Sequence, residues 1–199
     1  MTVIRGSAAS REGLRTDGCC PGNGRERIFL SLGSNVGRRP GNLRKALELI
    51  ALEPGIRVVS VSRLYSTSPV GYTPQRKFIN GVLELRTRLG PRELLDRLGK
   101  IEARMGKSTP FRNGPRRIDI DLVLYGQRQV SEDGLIVPHP RMDGRRFVLA
   151  PLAEIAARVR HPGLRRAVSH LHAGLGPGES VRPWGAWVSG DRWGRGGRG

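Results

Sequence analysis

Residues Arg112–Tyr125 read RNGPRRIDIDLVLY. From Ile118 onward aliphatic and acidic residues alternate with the period of a β-strand. Asp119 and Asp121 therefore share one face, their Cα atoms roughly 7 Å apart. Ile118, Ile120 and Leu122 point the other way, toward a core. Gly114-Pro115 sets a turn ahead of the strand and delivers Arg116 and Arg117 to its start.

This strand closes an alternating series. Arg27–Leu32 (RIFLSL) is a short apolar run stopped by Gly33, which reads as a strand. Pro40–Leu52 places Leu43, Ala46, Leu47, Ile50 and Ala51 at helical spacing, with a proline suited to the first turn. Ile56–Tyr65 and Lys77–Thr87 read as strands on either side of the loop Gly71–Pro74. Pro91–Met105 is a second helix with Leu94, Leu95, Leu98 and Ile101 on one face. Beyond the RIDIDLVLY strand a hairpin or loop leads to Val137, and Arg146–Ala157 is a third helix. The order β-α-β-β-α-β predicts an α+β, ferredoxin-like core, an antiparallel sheet with helices on one face. A hairpin and C-terminal helices are added to it. The expected organisation is a disordered tail over 1–25, one domain over 26–175, and a disordered Gly/Arg/Trp-rich tail over 176–199. Glycines and low apolar density argue against packing in that last segment.

The chain has 199 residues, 37% of them hydrophobic and 5% aromatic, enough for one modest core. Its formal charge of +18 points to a polyanionic partner: nucleic acid, an anionic membrane or a phosphorylated small molecule. Charge alone does not separate them. Cys19 and Cys20 are adjacent, so neither a disulfide framework nor a zinc spacing exists. No apolar run reaches the roughly 18 residues of a membrane span, and the first 25 residues lack the apolar centre of a signal peptide. A cytoplasmic location with no membrane partner is expected.

Two carboxylates on one strand face repel each other unless a cation lies between them. Magnesium suits the place, because it takes a few carboxylate oxygens and completes its shell with water and phosphate. Arg112, Arg116 and Arg117 add guanidinium groups, which bind phosphate oxygens in a bidentate way. Both signs together suit MgATP. Gly106-Lys107-Ser108-Thr109 imitates half of a P-loop, but Ile101 stands where its first glycine belongs. The segment also follows a helix rather than a strand. A second dense segment, Val137–Phe147 (VPHPRMDGRRF), holds His139 between two prolines, with Arg145 close behind.

Three segments in order, FLSLGSNVG, GPRRIDIDLVLYG and VPHPRMDGRRFVLAPLAEIA, resemble the 6-hydroxymethyl-7,8-dihydropterin pyrophosphokinase family of folate biosynthesis. The likeness runs from Ile28 to Leu171. It implies transfer of diphosphate from ATP to the hydroxymethyl oxygen of the pterin, with AMP released. By the same resemblance Asp119 and Asp121 hold two magnesium ions. Glu102, Arg112, Arg116, Leu122, His139 and Arg145 contact ATP. Thr67, Ser68, Val70, Phe78, Asn80 and Phe147 hold the pterin. The residue chemistry agrees: two rings can enclose a flat heterocycle, and Asn80 offers both a donor and an acceptor. Many members carry Trp where Asn113 stands, so an aromatic lid contact is missing here.

No side chain is an obvious base for an alcohol, and phosphoryl-type transfer needs little covalent help. Arg112, Arg116, His139 and Arg145 are the expected catalytic charges. A monomer with ATP and the pterin alcohol as its partners is expected. One rival is a nucleic-acid-binding protein of ferredoxin-like fold, but the Lys/Arg-Gly-Phe/Tyr run of RNA binders of this shape is absent. The other is a pseudoenzyme or pterin-binding partner, against which the Asp pair, Arg116, His139 and Arg145 argue.

Overall fold

The computed structural model describes residues 26–72, 74–107, 111 and 114–187. Its elements are β1 (Ile28–Ser34), α1 (Arg39–Leu52), β2 (Ile56–Val61), β3 (Leu64–Thr67), β4 (Phe78–Thr87) and α2 (Pro91–Arg104). They continue with β5 (Asp119–Tyr125), β6 (Val130–Glu132), β7 (Leu135–Val137), α3 (Arg146–Ala156), α4 (Val168–Ala173) and β8 (Val181–Gly185). The main sheet runs β5-β1-β4-β3-β8, with β2 also on β4, and every pairing is antiparallel. Removing β6, β7 and β8 leaves the ferredoxin-like order, with β2 and β3 sharing one strand position.

Residues Ile56–Tyr65 form two strands rather than one. β2 pairs with the far half of β4 through Thr87, whereas β3 pairs with its near half, Phe78–Asn80. A register shift between Val58 and Ser60 and the break before Leu64 bend the chain, so a single strand cannot follow the ten-residue β4.

Helices cover both faces of the sheet, not one. Leu43, Ala46, Leu47 and Ile50 of α1 and Leu94, Leu98 and Ile101 of α2 pack on Leu30, Leu32, Leu83 and Leu85. On the opposite face Val148, Leu149 and Leu152 of α3, with Val168 and Leu171 around α4, cover Phe29, Val82 and Val123. β1 is therefore buried at all seven residues, which explains apolar side chains on both of its faces, Ile28, Leu30 and Leu32 on one and Phe29 on the other. α3 keeps Pro151 inside it, near the middle of an 11-residue helix.

The expectation of an unstructured tail over 176–199 is corrected for residues up to 187. β8 pairs with β3, and Trp187 is 2% exposed. The indole N–H of Trp187 donates to the Ser62 carbonyl at 2.7 Å. Gly81 makes room for this ring, since a Cβ there would collide with the indole and crowd Leu64. One large aromatic side chain thus anchors a segment whose composition is otherwise that of a linker. Residues 1–25 and 188–199 lie outside the described residues.

Trp187→Ala should destabilise the protein by about 3–5 kcal/mol, as loss of a buried aromatic does. Urea denaturation would show a lower midpoint at an unchanged slope. A loss under about 1 kcal/mol would mean that the segment contributes no core packing.

Candidate active site

The α3–α4 layer covers only part of its face. Cross-strand register sets Ser31 beside Val82 and Asp121, and Gly33 beside Asn80 and Asp119. Val82 lies under α3, whereas its neighbours toward the β1 C-terminus line a cavity with about 670 Å³ of free space. Thr67, Ser68 and Val70 form one wall, Arg141, Arg145 and Phe147 another, and Phe78, Asn80, Asp119 and Asp121 the floor. Gly33 is needed here because a Cβ would lie 2.6 Å from Asn80 Oδ1. Asn80 is 4% exposed and donates to Thr67 Oγ1 at 2.7 Å, which fixes the orientation of its amide.

The carboxylates are crowded by cations. Asp119 Oδ1 lies 3.0 Å from Lys107 Nζ, and Asp119 Oδ2 lies 3.0 Å from Arg116 Nε. Arg145 Nη1 is 3.9 Å from Asp121 Oδ2. Burial pushes the Asp121 carboxyl up to about 6, and repulsion from Asp119 adds to this; Arg145, Lys107 and Arg116 oppose it. Burial pulls Lys107 down, but Asp119 and Glu102 outweigh it and hold its ammonium above the usual value. The buried Nε of Arg116 has the ion-pair distance without an aligned hydrogen bond, so this contact is coulombic.

Each arginine also covers an aromatic ring. Arg116 lies 5.2 Å over Phe78, and Arg145 lies 5.3 Å over Phe147. A guanidinium, a ring and a carboxylate thus recur twice around the cavity. Phosphate and a flat heterocycle each find their complement within one side chain's reach.

Local structure explains how these groups arrive. Asn35, on the loop after β1, accepts from the Arg116 backbone N–H at 2.8 Å and donates to Gln75 Oε1 at 2.8 Å. Asn42 of α1 donates to Ser34 Oγ, to the Val36 carbonyl and to the Arg117 carbonyl. The two asparagines bind the turn before β5 to the loop after β1. His139 follows a cis Val137–Pro138 bond, and its N–H donates to the Val123 carbonyl of β5. Its Nδ1 accepts from the Arg141 N–H at 3.2 Å, which leaves the proton on Nε2. Burial, helped by Arg145 and Arg141, lowers the His139 imidazole to about 4. It is therefore a neutral donor at neutral pH.

Of the expected site residues, Thr67, Ser68, Val70, Phe78, Asn80, Arg116, Asp119, Asp121, Arg145 and Phe147 meet at this one cavity. His139 stands beside it. Arg112 and Asn113 lie outside the described residues. Glu102 lies at the end of α2, where Oε1 accepts from Lys107 Nζ and from the Ile120 N–H, both at 2.7 Å. It lines a separate groove with Leu95, Gly99, Lys100 and Ile120. The Leu122 side chain is not at the cavity: strand alternation turns it into the core under the helices of the other face. Ser31, Gly33 and Arg141 line the cavity without having been singled out from sequence. Asn35 was legible only as part of the SNVG segment. Tyr72 and Phe111, one from each flanking loop, meet edge to face at 5.0 Å.

The carboxylate pair fits magnesium. Two hard oxygen donors on one face leave coordination positions for water and phosphate, while Lys107 and Arg116 hold the Asp119 oxygens in place of a metal. Among the described residues no group of three or more His, Cys, Asp and Glu could hold a metal ion, so a full protein cage is absent.

A family model described as 7,8-dihydro-6-hydroxymethylpterin-pyrophosphokinase matches residues 29–157. The chain belongs to this family. It is 44% identical over 131 residues to the 2-amino-4-hydroxy-6-hydroxymethyldihydropteridine pyrophosphokinase of Bacillus subtilis, covering 66% of this chain and 78% of that one. The Pseudomonas aeruginosa protein of the same name is 40% identical over 148 residues, or 74% and 91% of the two chains. The mitochondrial folate synthesis bifunctional protein of Arabidopsis thaliana is 40% identical over 158 residues, and the chain spans 28% of its length. Among solved structures, Plasmodium falciparum HPPK-DHPS superposes with a TM-score of 0.61 at 16% identity, over 74% of this chain and 43% of that one. At that identity the likeness concerns the fold alone.

The His139 ring should titrate with a midpoint at about 4 in NMR spectra, not at 6.5. Its folded value lies below the unfolded one, so the folded state binds fewer protons. Stability should therefore be lost as pH falls from 6.5 toward 4, and His139→Gln should flatten that slope. A titration midpoint at or above 6.5 would contradict a half-buried ring facing two guanidiniums.

Proposed function

We propose that the cavity binds 6-hydroxymethyl-7,8-dihydropterin beside the phosphates of ATP, and that the protein transfers diphosphate to the pterin hydroxymethyl oxygen. AMP and the pterin diphosphate leave, a step of folate biosynthesis. The observation that carries this reading is the meeting, in one cavity, of Phe78, Phe147 and Asn80 with an aspartate pair and its ring of cations. A surface that only neutralises a nucleic-acid backbone does so with lysine and arginine, and does not need two carboxylates at the centre of its positive charge.

In this reading Phe78 and Phe147 enclose the pterin, and Asn80, held by Thr67, reads its polar edge. Asp119 and Asp121 hold two magnesium ions. When bound, magnesium neutralises phosphate oxygens and lowers the pKa of the attacking alcohol. Arg116, Arg145 and Arg112 stabilise charge as the bond between the α- and β-phosphates breaks. His139 donates its Nε2–H to a phosphate oxygen without adding charge. The groove along α2 at Glu102 lies on the other side of Asp119 and receives the nucleoside end of ATP. The loops carrying Tyr72 and Phe111 exclude water from the reacting phosphates. The enzyme acts as a cytoplasmic monomer. Among the described residues no helix is long and apolar enough to cross a membrane.

Asp121→Ala should abolish AMP formation from ATP and the pterin alcohol while circular dichroism stays that of the parent. Near-normal turnover would remove Asp121 from the metal site. Arg116→Ala should lower kcat by about 10²-fold, the usual cost of one charge contact made in the transition state. A loss below about threefold would restrict Arg116 to holding the turn.

A further inference from the structure

The family match ends at residue 157, yet the chain beyond it returns to the cavity. Residues 175–180 cross from the start of α3 to the end of β3. Arg146 donates to the carbonyls of Leu175 and Gly176, both at 2.7 Å. Glu179 Oε2 accepts from the Phe147 N–H at 3.3 Å. The Ser180 carbonyl accepts from the Ser68 N–H at 3.0 Å. β8 then continues along β3 to Trp187 in the core. Phe147 and Ser68 both line the cavity, one from α3 and one from the end of β3, and consecutive residues of one segment hold them both.

α3 explains why an acceptor is needed. Its N-cap is Arg145, which offers no side-chain cap, and its first turn contains no acidic residue. A helix leaves its first N–H groups without internal partners, and a carboxylate there also meets the positive end of the helix dipole. Glu179 supplies that carboxylate from 32 residues downstream. Arg145 and Arg146 lie near enough to act on its charge.

We propose that Glu179 is a positioning residue for the pterin: it caps α3 in trans, sets Phe147 against the cavity, and with Ser180 fixes the spacing between the Phe147 and Ser68 walls. This rests on the assignment of those walls to the pterin. Asp119, Asp121 and Arg116 lie on β5 and its preceding turn, away from the hydrogen bonds this segment makes, and only Arg145, next to Phe147, joins the two groups. Its effect therefore falls first on the pterin wall and reaches the phosphates only through Arg145.

The test is steady-state kinetics with each substrate varied, together with amide hydrogen exchange. Glu179→Ala should raise the KM for the pterin about tenfold, as loss of a charge-assisted hydrogen bond would. The KM for ATP and kcat should change by less than about twofold. The Phe147 amide should lose exchange protection. Glu179→Gln keeps a carbonyl acceptor and should recover most of the pterin KM. If Glu179→Ala loses its fold, Glu179→Asp carries the same test, because it withdraws the oxygen by one methylene and keeps the charge. An unchanged pterin KM, or an equal rise for both substrates, would overturn the proposal. Failure of the parent protein to form AMP with the pterin alcohol would instead overturn the assignment of the cavity.

Discussion

Asp119 and Asp121 stand two residues apart on an edge strand and face one partly closed cavity. Burial, with repulsion from Asp119, pushes Asp121 up to about 6. Such a pair persists only where positive charge is brought to it, and the surrounding structure supplies that charge from three directions. The end of α2 supplies Lys107, the turn before β5 supplies Arg116, and the loop before α3 supplies Arg145. Each of these segments is then fixed by a separate hydrogen bond. Glu102 holds Lys107, Asn35 holds the Arg116 backbone, and the β5 carbonyl of Val123 holds the His139 loop. Much of the polar wiring around the sheet follows from keeping two like charges side by side.

The second helical layer makes the cavity possible. A ferredoxin-like sheet with one bare face would place the aspartates in open solvent, where ion pairs are weak. α3 and α4 bury Phe29, Val82 and Val123 on that face and stop short of Ser31, Gly33 and Asn80. The step between covered and uncovered sheet is the cavity. It lowers the local polarity enough for charge to matter, yet leaves space for a ligand.

What could be read from sequence divides along physical lines. Alternation placed Asp119 and Asp121 on one face, and helical spacing placed α1 and α2, because these patterns are local. The same alternation already turned Leu122 toward the core, and there it is; the resemblance, which matches positions and not side-chain directions, had assigned it to ATP. The second helical layer was not read correctly, since the buried run RIFLSL looks alike whether covered on one face or two. β8 was missed because its strand is mostly exposed and its stability comes from Trp187, two residues beyond it. A single distant aromatic leaves no periodic signature. Asn35 and Glu179 act through backbone groups far along the chain, which no local pattern reports.

The mixture of signs at the site also decides what can occupy it. A free polyphosphate would meet two carboxylates, and a free magnesium ion would meet Lys107, Arg116 and Arg145. Each is repelled by the groups that attract the other. Together they satisfy both sets, so the binding of either one raises affinity for the second, and by linkage the effect is mutual. A surplus of +18 spread over the chain would draw any polyanion. In the proposed reading the aspartate pair turns that general attraction into a preference for phosphate that arrives with its metal.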